Sequence, residues 1–369
     1  MCKKGKTMKK QRSSNFELLR IVAMFMIVLY HIYIHSISGQ LTTGETGLFT
    51  TPQFSKKLTI LALIAPMGMI GNHIFILISG YFMANKDSED IHLEKVAKKL
   101  IIQQAIASIV LVISSVFAYR VLRGHGIPVR VISGKCFNSM SWYIGYYFLI
   151  ILFGKLFINR FISTLDQSKY LYYLIVLFTC TQLSWILNTI ISISDGLGRI
   201  LIGIFVYSLG GYLQKYGYSL KVKTRTLLGI LLLVNLWFIV TYYTDTTDNA
   251  LIGASTQTIP FYELYHVAPL VTASTLFELF RRIPIFYNKS INYVGGATLM
   301  MYLLHDNELF YSLWNSQDWI SLLYYSPIKF MAKYIIWSMG VVLIGVVIYT
   351  FCSRIINVTY SKSFDKVNE

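Results

Sequence analysis

The sequence is poor in charged residues. Asp, Glu, Lys and Arg make up only 14% of its 369 residues, whereas a soluble globular chain carries about a quarter. Hydrophobic residues make up 55%, and the mean hydropathy is +0.55. They occur in continuous runs of about 20 residues, the length that crosses a bilayer. These features exclude a soluble globular protein and predict an all-α, polytopic membrane bundle of helices.

Cysteine is also scarce, and the common motifs of soluble enzymes are absent. The four cysteines lie far apart and form no CxxC pair, zinc spacing or disulfide framework. The chain has no G-x-S-x-G, P-loop, HExxH or GxGxxG motif. Its histidines are scattered along the sequence, so we expect no metal site. No soluble domain and no repeat of 20–50 residues stands out.

The hydropathy pattern predicts about ten transmembrane helices. The first apolar stretch is too long for a signal peptide and has no A-x-A-like cleavage site, so we expect it to be retained. We divide the chain into a basic cytoplasmic N-terminal tail (1–15), a transmembrane domain (16–352) and a cytoplasmic C-terminal tail (353–369). The predicted spans are 16–36, 61–84, 100–119, 141–158, 170–188, 197–213, 226–243, 262–280, 294–314 and 330–352.

Positive charge sets the predicted orientation. With both termini in the cytoplasm, the inside segments hold 22 Lys and Arg residues and the outside loops hold 7, as the positive-inside rule requires. The formal net charge of +16 then indicates contact with anionic lipid headgroups rather than with nucleic acid. The loop at 120–140 opposes the rule with four basic residues. Either this loop has a function that needs positive charge, or the topology differs there.

Two titratable residues share one face of the first predicted span. Arg20 and His31 are eleven residues apart, which corresponds to about three helical turns and roughly 16 Å along the axis. Arg20 lies near the cytoplasmic end, where Glu17 is placed to pair with it, and His31 lies toward the outer side. Snorkelling to headgroups explains Arg20 as well as function does. It explains His31 less well, because titratable groups inside a membrane usually mark a site or a pathway.

Further polar residues fall inside or at the ends of apolar runs. His73, His305 and Asp306 lie within predicted spans, which indicates a polar cavity between the helices. Ser79 and Gly80 are better explained by close helix packing through small residues, and headgroup contact is the preferred interpretation for Arg199. We nevertheless retain several of these residues as candidates for substrate binding: Glu17, His73, Ser79, Trp142, Tyr143, Arg199 and Asp306.

Several segments resemble motifs of the acyltransferase 3 family of membrane-bound bacterial O-acyltransferases. The segment "NFELLRIVAMFMIVLYH", with Arg20 and His31, resembles the family's R-x10-H signature. Four later segments resemble further family motifs in the same order: "HIFILISGYFM" (73–83), "SWYIGYYFLIILF" (141–153), "GRILIGIFVYSLGGYL" (198–213) and "GGATLMMYLLHDN" (295–307). We expect no C-terminal esterase-like domain, so the chain is expected to resemble the stand-alone members that modify capsular or other surface polysaccharides.

The resemblance implies a multi-pass protein of the bacterial plasma membrane. It would transfer an acyl group, usually acetyl, from cytoplasmic acetyl-CoA or another acyl-CoA to a hydroxyl of a surface glycan acceptor. His31 suits the general base, Arg20 suits the anionic part of coenzyme A or the thioester carbonyl, and His305 suits a second acid/base group or a partner of His31. Direct transfer and an acyl-enzyme intermediate both remain open, as does the oligomeric state. A transporter or flippase is the main alternative function.

Overall fold

The computed structural model describes residues 13–43, 52–121, 142–183, 194–219, 221–252 and 266–365, together with residues 186, 189, 190 and 192. Every regular element within these residues is a helix. Seven helical segments of this described part are long and apolar enough to cross a membrane. This confirms the all-α membrane fold that the composition predicts. The basic residues 1–12 and residues 122–141 of the basic loop lie outside the described part.

Most of the predicted spans coincide with helices. In chain order the described helices are α1 Ser14–Ile32, α2 Ser38–Thr43, α3 Pro52–Ile64, α4 Met67–Met83, α5 Leu93–Val121, α6 Trp142–Phe153, α7 Asn159–Ser163, α8 Gln167–Gln182, α9 Asp195–Tyr216, α10 Thr224–Ile252, α11 Val267–Arg282, α12 Lys289–Gly296, α13 Thr298–His305, α14 Glu308–Asn315, α15 Trp319–Tyr325 and α16 Pro327–Asp365. Turns of π-helix at Tyr33–Ile37 and Gly154–Ile158 join α1 to α2 and α6 to α7.

The predicted count of ten spans is not confirmed. Helices α8 and α11 fall on the predicted spans 170–188 and 262–280, but each has only 16 residues. Sixteen residues rise about 24 Å, which is less than the roughly 30 Å hydrocarbon core of a bilayer. The C-terminal helix α16 continues to Asp365, so much of the predicted tail 353–369 is helical.

The predicted span 294–314 is not one helix but the three short helices α12, α13 and α14. Asn307 is extended (φ −159°, ψ 162°), and its side-chain oxygen accepts hydrogen bonds from the backbone N–H groups of Leu309 and Phe310. This N-cap starts α14 directly after the end of α13. Interrupted backbone at membrane depth is tolerated where protein buries it, and His305, Asp306 and Asn307 are all buried.

Helix α4 lies at the centre of the described bundle, where it packs against α1, α9 and α11. The closest approach is at Gly80, where a Cβ atom would come within 2.0 Å of the Tyr207 backbone oxygen in α9. Only glycine permits two helix backbones to approach so closely. The packing role that the sequence predicts for Gly80 is therefore confirmed.

Helix α1 is held along its length by polar contacts with the C-terminal third of the chain. At its start, the Ser14 hydroxyl donates to Asn292 Oδ1 at 2.8 Å. Near its end, the Tyr334 hydroxyl of α16 donates to the Leu29 backbone oxygen. In the π-helical turn, Ser36 donates to the Trp314 backbone oxygen at 3.1 Å. These contacts fix the position of α1 relative to the broken segment α12–α14.

Candidate active site

His31 and His305 form a hydrogen-bonded pair between α1 and the end of α13. His31 Nδ1 lies 2.8 Å from His305 Nε2, and the two rings are stacked with their centroids 4.9 Å apart. The residues are separated by 274 positions in the sequence. His305 is the last residue of α13, so its contact with His31 of α1 lies directly before the break in the helix.

The hydrogen bonds determine which ring nitrogen of each neutral histidine carries the proton. His305 Nδ1 lies 2.7 Å from the Met301 backbone oxygen, and a carbonyl oxygen only accepts. His305 Nδ1 must therefore donate, which leaves His305 Nε2 as an acceptor. His31 Nδ1 then donates to it, and the lone pair of His31 lies on Nε2. This chain of donors prepares His31 Nε2 to accept a proton.

Asp306 lies beside the histidine pair. Its Oδ1 atom is 3.7 Å from His31 Nδ1 and accepts a hydrogen bond from the Tyr311 hydroxyl of α14. The side chains of Asp306 and His31 are only 7% and 12% exposed. A carboxylate at this position stabilises positive charge on His31 after it has taken a proton.

His35 extends this cluster by one helical turn. Its ring stacks on that of Tyr311 with centroids 3.7 Å apart and an interplanar angle of 15°, and its centroid lies 5.6 Å from that of His31. One ligand atom each from His31, His35 and Asp306 lie within 4.8 Å of one another. The scatter of the histidines along the sequence predicts no metal site. The fold, however, brings three possible metal ligands close together.

A cavity of about 250 Å³ begins at Arg20 and reaches the neighbourhood of the histidine pair. Its far end is formed by Tyr143 and Tyr302, and the Tyr302 ring lies 5.9 Å from His305 and 6.5 Å from His31, measured between centroids. The lining residues are Arg20, Met24, Ile27, Phe75, Ser79, Val96, Lys99, Leu100, Tyr143, Ile144, Tyr147, Gly295, Gly296, Thr298, Leu299 and Tyr302.

Arg20 lies at the other end of this cavity and is held by Glu17. Arg20 Nη1 donates to Glu17 Oε1 at 2.9 Å, and the Glu17 side chain is only 6% exposed. The helix end at Gly295 covers Glu17 closely, since a Cβ atom at Gly295 would come within 2.4 Å of Glu17 Oε2. The pair that the three-residue spacing predicts is therefore present and fixes the guanidinium at the cavity mouth.

The other sequence-predicted residues are divided between the cavity and its surroundings. Tyr143 and Ser79 line the cavity, and Ser79 donates to the Phe75 backbone oxygen at 2.9 Å. Trp142 and Arg199 lie together, with the guanidinium carbon 5.6 Å from the indole centroid. His73 is buried in α4 and is not among the residues that line the cavity.

Sequence reasoning missed three residues that belong to the site. Tyr302 precedes His305 in "YLLH" and offered a motif-based signal, but Tyr311 and Lys99 offered none. Tyr311 contacts Asp306 because α13 ends at His305 and a new helix, α14, starts after the extended Asn307. Lys99 lines the same cavity as Arg20, whereas its sequence context indicates only a basic cytoplasmic segment.

A family model described as an acyltransferase domain matches residues 13–354, which is nearly the whole chain. The chain belongs to the acyltransferase 3 family. This confirms the family to which the motifs point, and the protein is a multi-pass membrane acyltransferase. No curated protein and no solved structure matches the chain.

Proposed function

We propose that this acyltransferase moves an acyl group, acetyl in particular, from acyl-CoA on the cytoplasmic side to a hydroxyl of a surface polysaccharide or its precursor. The observation that carries this proposal is the histidine pair beside Tyr302, which lines the same cavity as the fixed Arg20. The host membrane is the bacterial plasma membrane, with both termini in the cytoplasm. Membrane lipid and the glycan acceptor are the partners, and nucleic acid is not one.

The cavity suits the donor. Coenzyme A carries several phosphates on a long, flexible pantetheine arm that ends in the thioester. Arg20 and Lys99 in its lining provide positive charge for the phosphates, and Met24, Ile27 and Phe75 provide an apolar wall for the arm. Arg20 and His31 are roughly 16 Å apart along α1, so they cannot both contact the thioester carbonyl. Arg20 therefore binds the donor at a distance from the reacting atoms.

His31 suits the general base. Its Nε2 atom takes the proton of the acceptor hydroxyl while the hydroxyl oxygen attacks the thioester carbonyl carbon. The imidazolium that forms is stabilised by Asp306 and by donation from Nδ1 to His305. The C–S bond of the tetrahedral intermediate then breaks, and the leaving thiolate recovers the proton from His31. The products are the acylated glycan and free coenzyme A, and no further reactant is required.

The acceptor would approach from the side of α6, where Trp142, Tyr143 and Arg199 lie. Trp142 is 39% exposed, and a partly exposed aromatic ring offers an apolar face to a sugar. Tyr143 connects this surface to the cavity, because its ring packs 5.8 Å from that of Tyr302 and its hydroxyl donates to the Asn72 backbone oxygen.

The proposal is tested by mass spectrometry of the surface glycan. Cells that express the wild-type chain should carry an acyl mass that cells lacking the gene do not, and His31→Ala should abolish it at matched protein levels. His92→Ala is the matched control, because His92 is exposed at the start of α5. Normal acylation with His31→Ala would refute the role of His31. A transporter or flippase would instead leave glycan acylation independent of acyl-CoA supply.

A further inference from the structure

We propose that His31, His35 and Asp306 form a binding site for a divalent metal ion of the zinc type. One ligand atom from each of the three residues lies within 4.8 Å of the other two. In tetrahedral zinc sites with bonds of about 2.0–2.1 Å, ligand atoms lie about 3.4 Å apart. The pair His31 Nδ1 and Asp306 Oδ1, 3.7 Å apart, is already close to that spacing.

The donor set favours zinc or a similar transition metal. Two imidazoles and one carboxylate are ligands that Zn²⁺ accepts in three-ligand sites, where a fourth position remains open. Ca²⁺ and Mg²⁺ prefer oxygen ligands, and this cluster offers oxygen from only one residue. The site is therefore selective by ligand type rather than by charge alone.

The surroundings position the three ligands. His31 Nδ1 is the ring nitrogen that lies 3.7 Å from Asp306 Oδ1, so it binds the ion once its proton moves to Nε2 and its hydrogen bond to His305 Nε2 is given up. Tyr311 fixes the other two ligands, since its hydroxyl donates to Asp306 Oδ1 and its ring stacks on His35.

A cation would also stabilise the buried carboxylate of Asp306. The residue is only 5% exposed, and within the described part of the chain its one ion-pair partner closer than 4.0 Å is His31. The Tyr311 hydroxyl donates to this carboxylate, but a neutral donor and a neutral imidazole supply no opposite charge for a buried anion. A divalent ion between Asp306 and the two histidines supplies that compensation.

The site has a consequence for catalysis that rests on the proposed function. With the ion on Nδ1, the proton of His31 lies on Nε2, and this atom can no longer accept the proton of the acceptor hydroxyl. Occupation of the site therefore inhibits acyl transfer, and removal of the metal restores it. His35 takes no part in the proton transfer, so its loss should affect metal binding and leave metal-free activity unchanged.

The test is zinc binding by the full chain in detergent or lipid nanodiscs, purified through a tag without histidine. Isothermal titration with Zn²⁺ should show one site per chain in the wild type. His35→Ala and the conservative His35→Gln should lower the affinity for Zn²⁺ by more than about 100-fold. Loss of a residue that only supports a metal ligand costs up to about 100-fold, and loss of a ligand should cost more. His92→Ala is the control and should bind as the wild type does. Elution as a single species excludes misfolding of each variant.

Acyl transfer is then measured with Zn²⁺ and with a chelator. Zinc should inhibit the wild type reversibly, whereas His35→Gln should keep its metal-free rate and resist inhibition. Wild-type affinity in both His35 variants, or absence of a stoichiometric site in the wild type, would overturn the inference. Zinc binding that depends on His35 in a protein without acyl transfer would support the metal site and refute the proposed function instead.

Discussion

Replacement of His305 tests whether the histidine pair acts as a unit. His305→Leu removes the acceptor for His31 Nδ1–H and leaves an apolar side chain in a fully buried position. The lost hydrogen bond is one to a charged group once His31 has taken a proton, and such bonds are worth about 1.5–3 kcal/mol. At about 1.4 kcal/mol per tenfold change, kcat should fall about 10- to 150-fold.

The same change should leave donor binding nearly unaltered. His305 does not line the cavity. The KM for acyl-CoA should therefore change less than about twofold, which is within the error of such a measurement. His305→Gln places an amide group near the position of Nε2 and retains an acceptor for His31. It should therefore recover part of the rate that His305→Leu loses, which a purely structural role for His305 would not predict.

The assay is initial-rate acyl transfer by purified wild-type and variant protein at several concentrations of acyl-CoA. Detergent-solubilised variants must elute as a single species, and their thermal unfolding must be recorded beside the rates. Wild-type kcat in His305→Leu would refute the reasoning. Equal loss in the Leu and Gln variants, with lowered unfolding temperatures in both, would show that His305 acts through stability alone.

Three further predictions follow from the cavity mouth and the packing. Arg20→Ala should raise the KM for acyl-CoA about tenfold or more, and Arg20→Lys should retain more affinity if charge rather than the forked guanidinium is recognised. Arg160→Ala, on the exposed surface, is the control. An unchanged KM in Arg20→Ala would contradict the donor site. Gly80→Ala should destabilise the bundle by about 1–3 kcal/mol through its clash with the Tyr207 backbone, whereas Gly229→Ala, which meets nothing within 4 Å, should not; equal thermal unfolding of the two variants would refute this. Asn307→Ala should lower the unfolding free energy by about 1 kcal/mol through loss of the α14 cap, and unchanged stability in denaturant would contradict it.

Part of the site follows from local sequence geometry. Helical periodicity alone places Arg20 and His31 on one face of α1, and Arg20, Met24 and Ile27 indeed line the same cavity. The three-residue spacing also predicts the Glu17–Arg20 pair. These predictions succeed because they depend only on the regular geometry of one long helix.

The remainder depends on contacts between distant segments. The meeting of His31 with His305 requires the break after α13, and hydropathy does not register that break because the flanking residues are apolar. The contacts of Tyr311 with Asp306 and His35 depend on the same break between α13 and α14. Hydropathy also does not set helix length. Two predicted spans coincide with helices of only 16 residues, and the span 294–314 is divided into three short helices.

Transfer of label across inverted membrane vesicles tests whether His31 acts in acyl transfer from the cytoplasmic to the outer side. In such vesicles the cytoplasmic face is outward, so radiolabelled acetyl-CoA reaches the mouth at Arg20 while the glycan acceptor lies in the lumen. The account predicts that label enters the luminal glycan with the wild type and falls by about 100- to 10,000-fold with His31→Ala, the contribution typical of a general base. Label transfer by His31→Ala at the wild-type initial rate would contradict it.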